Sequence, residues 1–263
     1  MQESYGCYGK QGDSFASARK DYPEKAYKMV CTGLHQGEHV IDLGCGTGIS
    51  TRGMLAFMKQ TVTLRGVDND HKMLYRARQV PNPKIAYRYG SVHECIPAPD
   101  RGANLITAWG SFHWFLWRRL PEEIDRLFRE IHRVAKPGAR LCIVNKQDLS
   151  PLARIAREIV GGVAGYRPVG VKETYQPLDL LRSRPYTDSS GQYFHAKEVF
   201  ASQKEVLQFF KSMGVYRQIP PGKHKYAQDQ FKNRTESLFR AGVFERELRI
   251  SVVSGYIPNI SRH

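Results

Sequence analysis

The sequence predicts an α/β protein built on a doubly wound, mostly parallel sheet. Short apolar runs alternate with amphipathic stretches through residues 1–145, and a glycine-rich turn follows the first strand-like run. Strands that alternate with helices at this spacing need crossover connections, which place helices on both faces of the sheet. A chain of 263 residues is long enough to bury a core around one such sheet. We therefore expect a single domain over residues 1–263.

The first half of the series begins with a helix over 21–34, which has Pro23 near its start as helix beginnings favour. The runs that follow are short and apolar where strands are predicted, and amphipathic where helices are predicted. In order they are a strand over 39–44, a helix over 48–60, a strand over 61–68, a helix over 71–80 and a strand over 84–90.

The second half begins with a strand over 102–110. The helix over 121–138 is well marked, because acidic residues occupy its first turn, basic residues its last turn, and Pro-Gly ends it. A strand over 139–145 closes the series. In a sheet of this kind ligands bind beyond the carboxyl ends of the strands.

The amino-acid composition limits the kinds of partner and site that the chain can have. Forty Lys and Arg against 25 Asp and Glu give a net charge of +15, with no run of five like charges. The excess favours anionic partners, either small substrates or nucleic acid, and is also compatible with a basic protein that binds neither. The five cysteines lack Cys-x-x-Cys spacing, which argues against a disulfide framework and a zinc site and favours a reducing, cytoplasmic location. We expect no metal and no membrane span, since no apolar run reaches the roughly 18 residues needed.

The stretch "DLGCGTG", residues 42–48, forms a strand-to-helix turn with three glycines. Glycines permit tight backbone geometry and let a ligand touch the main chain. The spacing differs from the G-x-G-x-x-G of dinucleotide folds, and no Lys-Ser/Thr follows as a phosphate loop requires. The alternative is a glycine-rich connection that binds nothing.

Asp68 ends the next predicted strand in "LRGVDND". An acidic residue at this position of a parallel sheet can accept from both hydroxyls of a ribose. The alternative is a solvated strand end or a helix cap. Together with the glycine-rich turn, Asp68 favours a nucleoside-binding site.

Four segments resemble successive motifs of the class I S-adenosylmethionine-dependent methyltransferases: "VIDLGCGTG", "GVDNDHKMLYRAR", "GSFHWF" and "LFREIHRVAKPGARLCIV". The chain is most similar to the small-molecule branch that includes trans-aconitate methyltransferase. The resemblance is strong over residues 20–145, weaker over 196–263 and absent over 146–195. It implies a seven-stranded Rossmann-like fold, S-adenosylmethionine as cofactor with S-adenosylhomocysteine as product, and a small-molecule acceptor.

The resemblance also assigns the cofactor site. The residues it implies are Asp42, Gly44, Cys45, Gly46, Thr47, Gly48, Asp68, Asn69, Met73, Ser91, Val92 and Trp109. Asp68 would take the ribose hydroxyls, and Met73 would pack on adenine unless it is an ordinary core methionine. Ser91 departs from the family, which usually has an acid there to accept from the adenine amino group; a serine can still accept a hydrogen bond.

The acceptor would lie beside "WGSFHWFLWRR", residues 109–119. His113 is the predicted catalytic residue, as a general base for a hydroxyl or amine acceptor, or else a histidine that only shapes the pocket. Trp114, Arg118 and Tyr22 are predicted acceptor contacts, Arg118 because guanidinium matches carboxylate in a two-point fork. Arg118 is alternatively a surface residue.

Two flanking segments are predicted to cover the site. Residues 1–20 resemble the family's cofactor-covering segment, and residues 146–195, which are punctuated by glycine and proline, are predicted to form a helical and loop cap over the acceptor. Two rival functions remain open, an RNA- or protein-modifying methyltransferase and a cofactor-binding protein without catalysis. Against nucleic acid, the chain has neither an Asn-Pro-Pro-aromatic run nor a Pro-Cys dipeptide.

Overall fold

The computed structural model describes residues 18–59, 62–117, 119–165 and 176–258. In chain order its elements are α1 (Glu24–Cys31), β1 (His39–Leu43), α2 (Ile49–Met54), β2 (Thr63–Asp68), α3 (His71–Arg78), β3 (Ile85–Tyr89), β4 (Ala103–Trp109), α4 (Phe112–Leu116), α5 (Pro121–Val134), β5 (Ala135–Asp148), α6 (Leu152–Ala164), α7 (Pro177–Arg182), β6 (Thr187–Phe200), α8 (Gln203–Ser212), α9 (His224–Glu236) and β7 (Phe244–Tyr256). Short 3₁₀ turns cover Leu55–Phe57 and Gly214–Gln218. None of the helices in these ranges has both the length and the apolar composition needed to cross a bilayer.

The strands form one seven-stranded sheet in the order β3-β2-β1-β4-β5-β7-β6. The first five are parallel, and β7 runs antiparallel to both of its neighbours. The predicted α/β class with a mostly parallel sheet is confirmed. After β1 the chain builds β2 and β3 on one side and then returns to β4 on the other, so a crevice lies at the carboxyl ends of β1 and β4.

Apolar side chains cover both faces of the sheet. Leu127, Phe128 and Ile131 of α5 pack against one face, and Tyr27 and Val30 of α1 pack against the other. A third cluster joins α6, α8 and α9 around the strand ends of β6 and β7. Helices on both faces make the sheet doubly wound, as predicted.

The segment 146–195, predicted to form a helical and loop cap, includes parts of the sheet. The strand β5 continues to Asp148, α6 and α7 follow, and β6 begins at Thr187 as a strand of the sheet. The strand β6 pairs with β7 along most of its length, and this pairing brings residues 187–195 into the sheet. Residues 166–175 of the predicted cap and residues 1–17 of the predicted N-terminal segment lie outside the described residues.

Candidate functional site

A cavity of about 760 Å³ opens at the carboxyl ends of β1, β2 and β4. Its wall includes the turn after β1, the end of β2, the segments that follow β3 and β4, and the end of β5. The segment before α1 and the elements α6, α8, β6 and β7 complete it. This is the crevice where the topology places a ligand, and its volume suits a small molecule, since such sites span about 300–1,000 Å³.

The glycine-rich turn brings backbone to the cavity surface. Gly44, Gly46 and Gly48 all have positive φ, at 66°, 54° and 76°. A Cβ on Gly44 would lie 2.5 Å from Cβ of Ser111, so this position must be glycine for the turn to pack against the segment after β4. Gly46 is different, because a Cβ there would meet no atom within 4 Å. Gly46 therefore offers its backbone to a ligand in the cavity.

Asp42 lies beneath the turn and is fully buried. Its carboxylate accepts hydrogen bonds from the hydroxyls of Thr51 at 2.6 Å, Thr107 at 3.0 Å and Ser50 at 3.2 Å. Burial raises the pKa of Asp42 to about 6, against the lowering effect of these three hydroxyls. Asp42 does not line the cavity, which differs from its predicted place against the cofactor. Its side chain points instead to the face where α2 packs and ties β1, α2 and β4 together.

Asp68 is the last residue of β2 and lines the cavity. Its Oδ2 accepts from the backbone N–H of Gly46 at 2.8 Å, and its Oδ1 accepts from that of Asp70 at 2.9 Å. Burial raises the pKa of Asp68 to about 6, although these two backbone donors lower it. Each carboxylate oxygen keeps a second lone pair for a donor on a ligand.

Most other predicted cofactor residues line the same cavity. They are Gly44, Cys45, Gly46, Thr47, Asn69, Met73, Ser91, Val92 and Trp109. Met73 is held at the start of α3, where Asp70 caps the helix by accepting from the N–H groups of Lys72 and Met73. Thr47 Oγ1 is buried and has no hydrogen-bond partner among the described residues. Gly48 is the remaining predicted residue; it shapes the turn at the start of α2 without lining the cavity.

An aromatic wall follows β4. Trp109 packs edge-on against Tyr22, with ring centroids 4.8 Å apart, and its buried Nε1 has no hydrogen-bond partner among the described residues. His113 is 4% exposed, lines the cavity and lies 5.0 Å from the Trp114 ring, centroid to centroid. Tyr22 and Trp114 line the cavity as predicted acceptor contacts should. Arg118 lies outside the described residues.

A buried ionic network in the cavity wall was not predicted. Lys146 Nζ donates to the backbone carbonyls of Lys20 at 2.9 Å and Asp21 at 2.7 Å and pairs with Glu198 at 2.6 Å. Glu198 also pairs with Arg246, which is 4% exposed. Burial lowers the pKa of Lys146, while Glu198 opposes that shift. Lys146 thus fixes the chain just before Tyr22 against the end of β5.

The charged residues around the cavity are mostly basic. Among the described lining residues, two are acidic, Asp68 and Asp148. Seven are basic, namely Arg19, Lys20, Arg119, Lys146, Arg157, Arg246 and Arg249. Six of these seven come from the N-terminal segment and from β5, α6 and β7, away from Asp68. The cavity therefore has one part around the glycine turn and Asp68, and another part where the charged lining residues are mostly basic.

Residues 41–143 match the family described as a methyltransferase domain. The match identifies residues 41–143 as a methyltransferase domain. This confirms the family resemblance on which the site residues were assigned.

Two curated relatives share sequence with this methyltransferase domain. The chain is 36% identical over 130 residues to a trans-aconitate 2-methyltransferase of Delftia acidovorans, covering 48% of this chain and 45% of that protein. It is 34% identical over 128 residues to a demethylmenaquinone methyltransferase of Lactiplantibacillus plantarum, covering 46% and 51%. The chain spans about half the length of the curated relatives it matches.

The solved structures extend the likeness in fold. A type II methyltransferase structure from Anaeromyxobacter dehalogenans, titled as putative, superposes with a TM-score of 0.67 at 15% identity, over 92% of this chain and 99% of that one. The shared fold thus reaches well beyond the methyltransferase domain, into the C-terminal part where sequence likeness is weak.

Proposed function

We propose that the protein transfers a methyl group from S-adenosylmethionine to a small-molecule acceptor that carries an anionic group. The observation behind this proposal is that one cavity joins the glycine turn and Asp68 to a part whose charged lining residues are mostly basic. A methyltransferase needs both ligands in one enclosed space, because transfer is an in-line displacement between them.

The cavity residues around the glycine turn and Asp68 fit the cofactor. Gly46 leaves room for a ligand against its backbone, and Asp68 keeps lone pairs for two ribose hydroxyls. Met73 and Val92 offer apolar surface for adenine. The buried hydroxyl of Thr47 has no partner within the described part of the chain, and the amino-acid end of the cofactor would supply one. When bound, S-adenosylmethionine supplies a methyl group already activated by a sulfonium charge.

The part of the cavity where the charged lining residues are mostly basic suits an anionic acceptor. Tyr22, Trp109 and Trp114 shield the transfer region from water, and aromatic faces favour a passing positive charge. Glu198, Glu205 and Asp148 offset part of the basic charge, since they pair with Lys146, Lys20 and Arg246. The positive charge that exceeds these pairs attracts a carboxylate and raises its local concentration. A carboxylate is already deprotonated at neutral pH, so orientation is the main contribution of the protein, and His113 orients the acceptor. If the acceptor is a hydroxyl or an amine, His113 is the group placed to take its proton.

The test is a search for the acceptor. The purified protein is incubated with S-adenosylmethionine and a small-molecule extract, and mass spectrometry identifies products heavier by one methylene. Methyl esters of small acids are the expected products. At saturating S-adenosylmethionine the rate should stay flat across the range in which histidine titrates, from about pH 6 to 8. Methylated neutral amines, together with a rate that rises as a histidine deprotonates, would contradict the anionic acceptor and favour His113 as a base. The Asp68→Asn variant is the control for turnover that depends on the cofactor site.

A further inference from the structure

The edge of the sheet farthest from the C-terminal strands carries a surface of basic and aromatic side chains. Residues 71–93 contain five Lys and Arg and no Asp or Glu. They span α3 and β3, and β3 pairs with β2 alone among the described strands. We call the exposed basic and aromatic side chains of this stretch the basic edge, and its members are His71, Lys72, Tyr75, Arg76, Arg78, Lys84, Arg88 and Tyr89.

Contacts between the helix and the strand make the basic edge one surface. His71, Tyr75 and Arg78 follow one another at helical spacing on the exposed side of α3, opposite its buried side. The His71 ring stacks on the Tyr89 ring, with centroids 4.0 Å apart and planes within 2°. Arg78 and Arg88 both donate to the backbone carbonyl of Tyr87, at 3.1 and 3.4 Å.

The aromatic rings of the basic edge are unusually exposed for their size. Tyr75 is 59% exposed and Tyr89 is 52% exposed, and the Arg76 guanidinium lies 5.8 Å from the centre of the Tyr75 ring. No ion pair among the described residues involves Lys72, Arg78 or Arg88. Cations and half-exposed rings thus alternate on a surface where no acidic side chain of this stretch repels an anion.

We propose that the basic edge binds single-stranded nucleic acid without sequence preference. Such strands are held by cations that track the phosphates and by aromatic rings on which successive bases stack. A membrane surface fits less well, because Val80 is the one large aliphatic side chain of this stretch that is strongly exposed. None of the basic-edge residues lines the cavity, so this binding is separate from methyl transfer and does not depend on the function proposed above.

The experiment measures the anisotropy of a labelled 12-nucleotide oligo(U) RNA as full-length protein is added, at several KCl concentrations. The test variant replaces Lys72, Arg78 and Arg88 with Gln. The matched control replaces Lys204, Lys223 and Lys232 with Gln, since these three are also exposed but lie near α8 and α9, toward the opposite edge. Both variants lose the same formal charge.

We expect the test variant to lose at least tenfold in affinity at 100 mM KCl, and the control to lose less than threefold. The dependence of log affinity on log salt should become shallower by about 0.7 for each phosphate contact removed, a limit of about 2 for three cations. Tyr75→Ala with Tyr89→Ala should lose at least fivefold with the salt slope unchanged, since stacking is worth about 1–3 kcal/mol per base. Melting temperature and S-adenosylhomocysteine affinity verify that each variant is folded.

Three results would overturn the proposal. The first is no binding of the RNA by the wild-type protein at 50 mM KCl. The second is an equal loss in the test and control variants, which would assign the attraction to diffuse net charge. The third is unchanged affinity without the two tyrosines, together with equal binding of duplex RNA or anionic vesicles, which would mean that bases are not contacted.

Discussion

Acidifying the solution from pH 7 to pH 5 should weaken nucleoside binding about tenfold, through protonation of Asp68. A cavity-lining carboxylate accepts strong, charge-assisted hydrogen bonds from both ribose hydroxyls only while it is ionised. Burial raises the pKa of Asp68 to about 6, above its ordinary value of 3.8. Because the pKa is raised, the group is ionised above pH 6 and protonated below it, so affinity is lost as the pH falls.

The magnitude follows from the ionised fraction. With a pKa of about 6, about nine-tenths of the Asp68 side chains are ionised at pH 7 and about one-tenth at pH 5. The apparent dissociation constant therefore rises about tenfold, which is about 1.4 kcal/mol. An aspartate at its ordinary pKa would change the constant by less than about 10% over the same range.

The assay is calorimetric titration with S-adenosylhomocysteine and, separately, with adenosine. Adenosine carries the ribose and the base but no amino-acid end, so it has no group of its own that titrates between pH 5 and pH 7. Both ligands should weaken by similar factors. The Asp68→Asn variant should bind more weakly at pH 7 and lose the pH dependence.

The refuting result is an Asp68→Asn variant that keeps the tenfold change between pH 7 and pH 5. The titrating group would then lie elsewhere, and Asp42 is the first alternative, since its pKa is also raised to about 6. A wild-type affinity that is flat over this range would contradict a ribose contact through an Asp68 carboxyl of raised pKa.

Three further predictions follow from the local geometry of single residues. Gly46→Ala and Gly37→Ala should each cost about 1 kcal/mol of folding free energy in urea unfolding, because both glycines have positive φ and open space around a Cβ. Only Gly46→Ala should weaken S-adenosylhomocysteine binding, and equal effects of the two variants on binding would contradict a ligand at Gly46. Gly110→Ala should reduce turnover, because its Cβ would lie 2.7 Å from the hydroxyl of Tyr22; Tyr22→Phe should restore part of that loss, and no rescue would refute the steric reason. Lys146→Met should destabilise the protein by about 3 kcal/mol, since it breaks a buried ion pair, whereas a loss below about 1 kcal/mol in urea unfolding would place the pair in solvent.

Local signals in the sequence were sufficient to predict the strands and helices of the N-terminal half of the fold. The strand predicted over 39–44 is β1 at His39–Leu43, and the helix predicted over 71–80 is α3 at His71–Arg78. Both depend on short-range features, an apolar run before glycine in one case and the Asp70 cap in the other. The helix predicted over 121–138 begins at Pro121 as expected but ends at Val134, because Ala135 already pairs with Ala103 as the start of β5.

Long-range pairing explains what the sequence did not predict. The strand β6 lies at an edge of the sheet, and most of its residues are polar and partly exposed, so it lacks the apolar run that marks a buried strand. The network of Lys146, Glu198 and Arg246 joins positions about fifty residues apart. No spacing rule connects such residues, because the register between β5, β7 and β6 brings them together.

The two aspartates show how position within a strand decides the role of an acid. Asp42 is the penultimate residue of β1, with partner strands on both sides, so its side chain reaches the hydroxyls of Thr51 and Thr107 and not the cavity. Asp68 is the last residue of β2, where the ladder ends and the side chain reaches the cavity. A variant of Asp42 would thus weaken cofactor binding by loosening the glycine turn, without any direct contact. Loss of binding alone does not separate the two roles. The pH dependence of the Asp68→Asn variant does, because a titration that belongs to Asp68 is lost in that variant, whereas one that belongs to Asp42 persists.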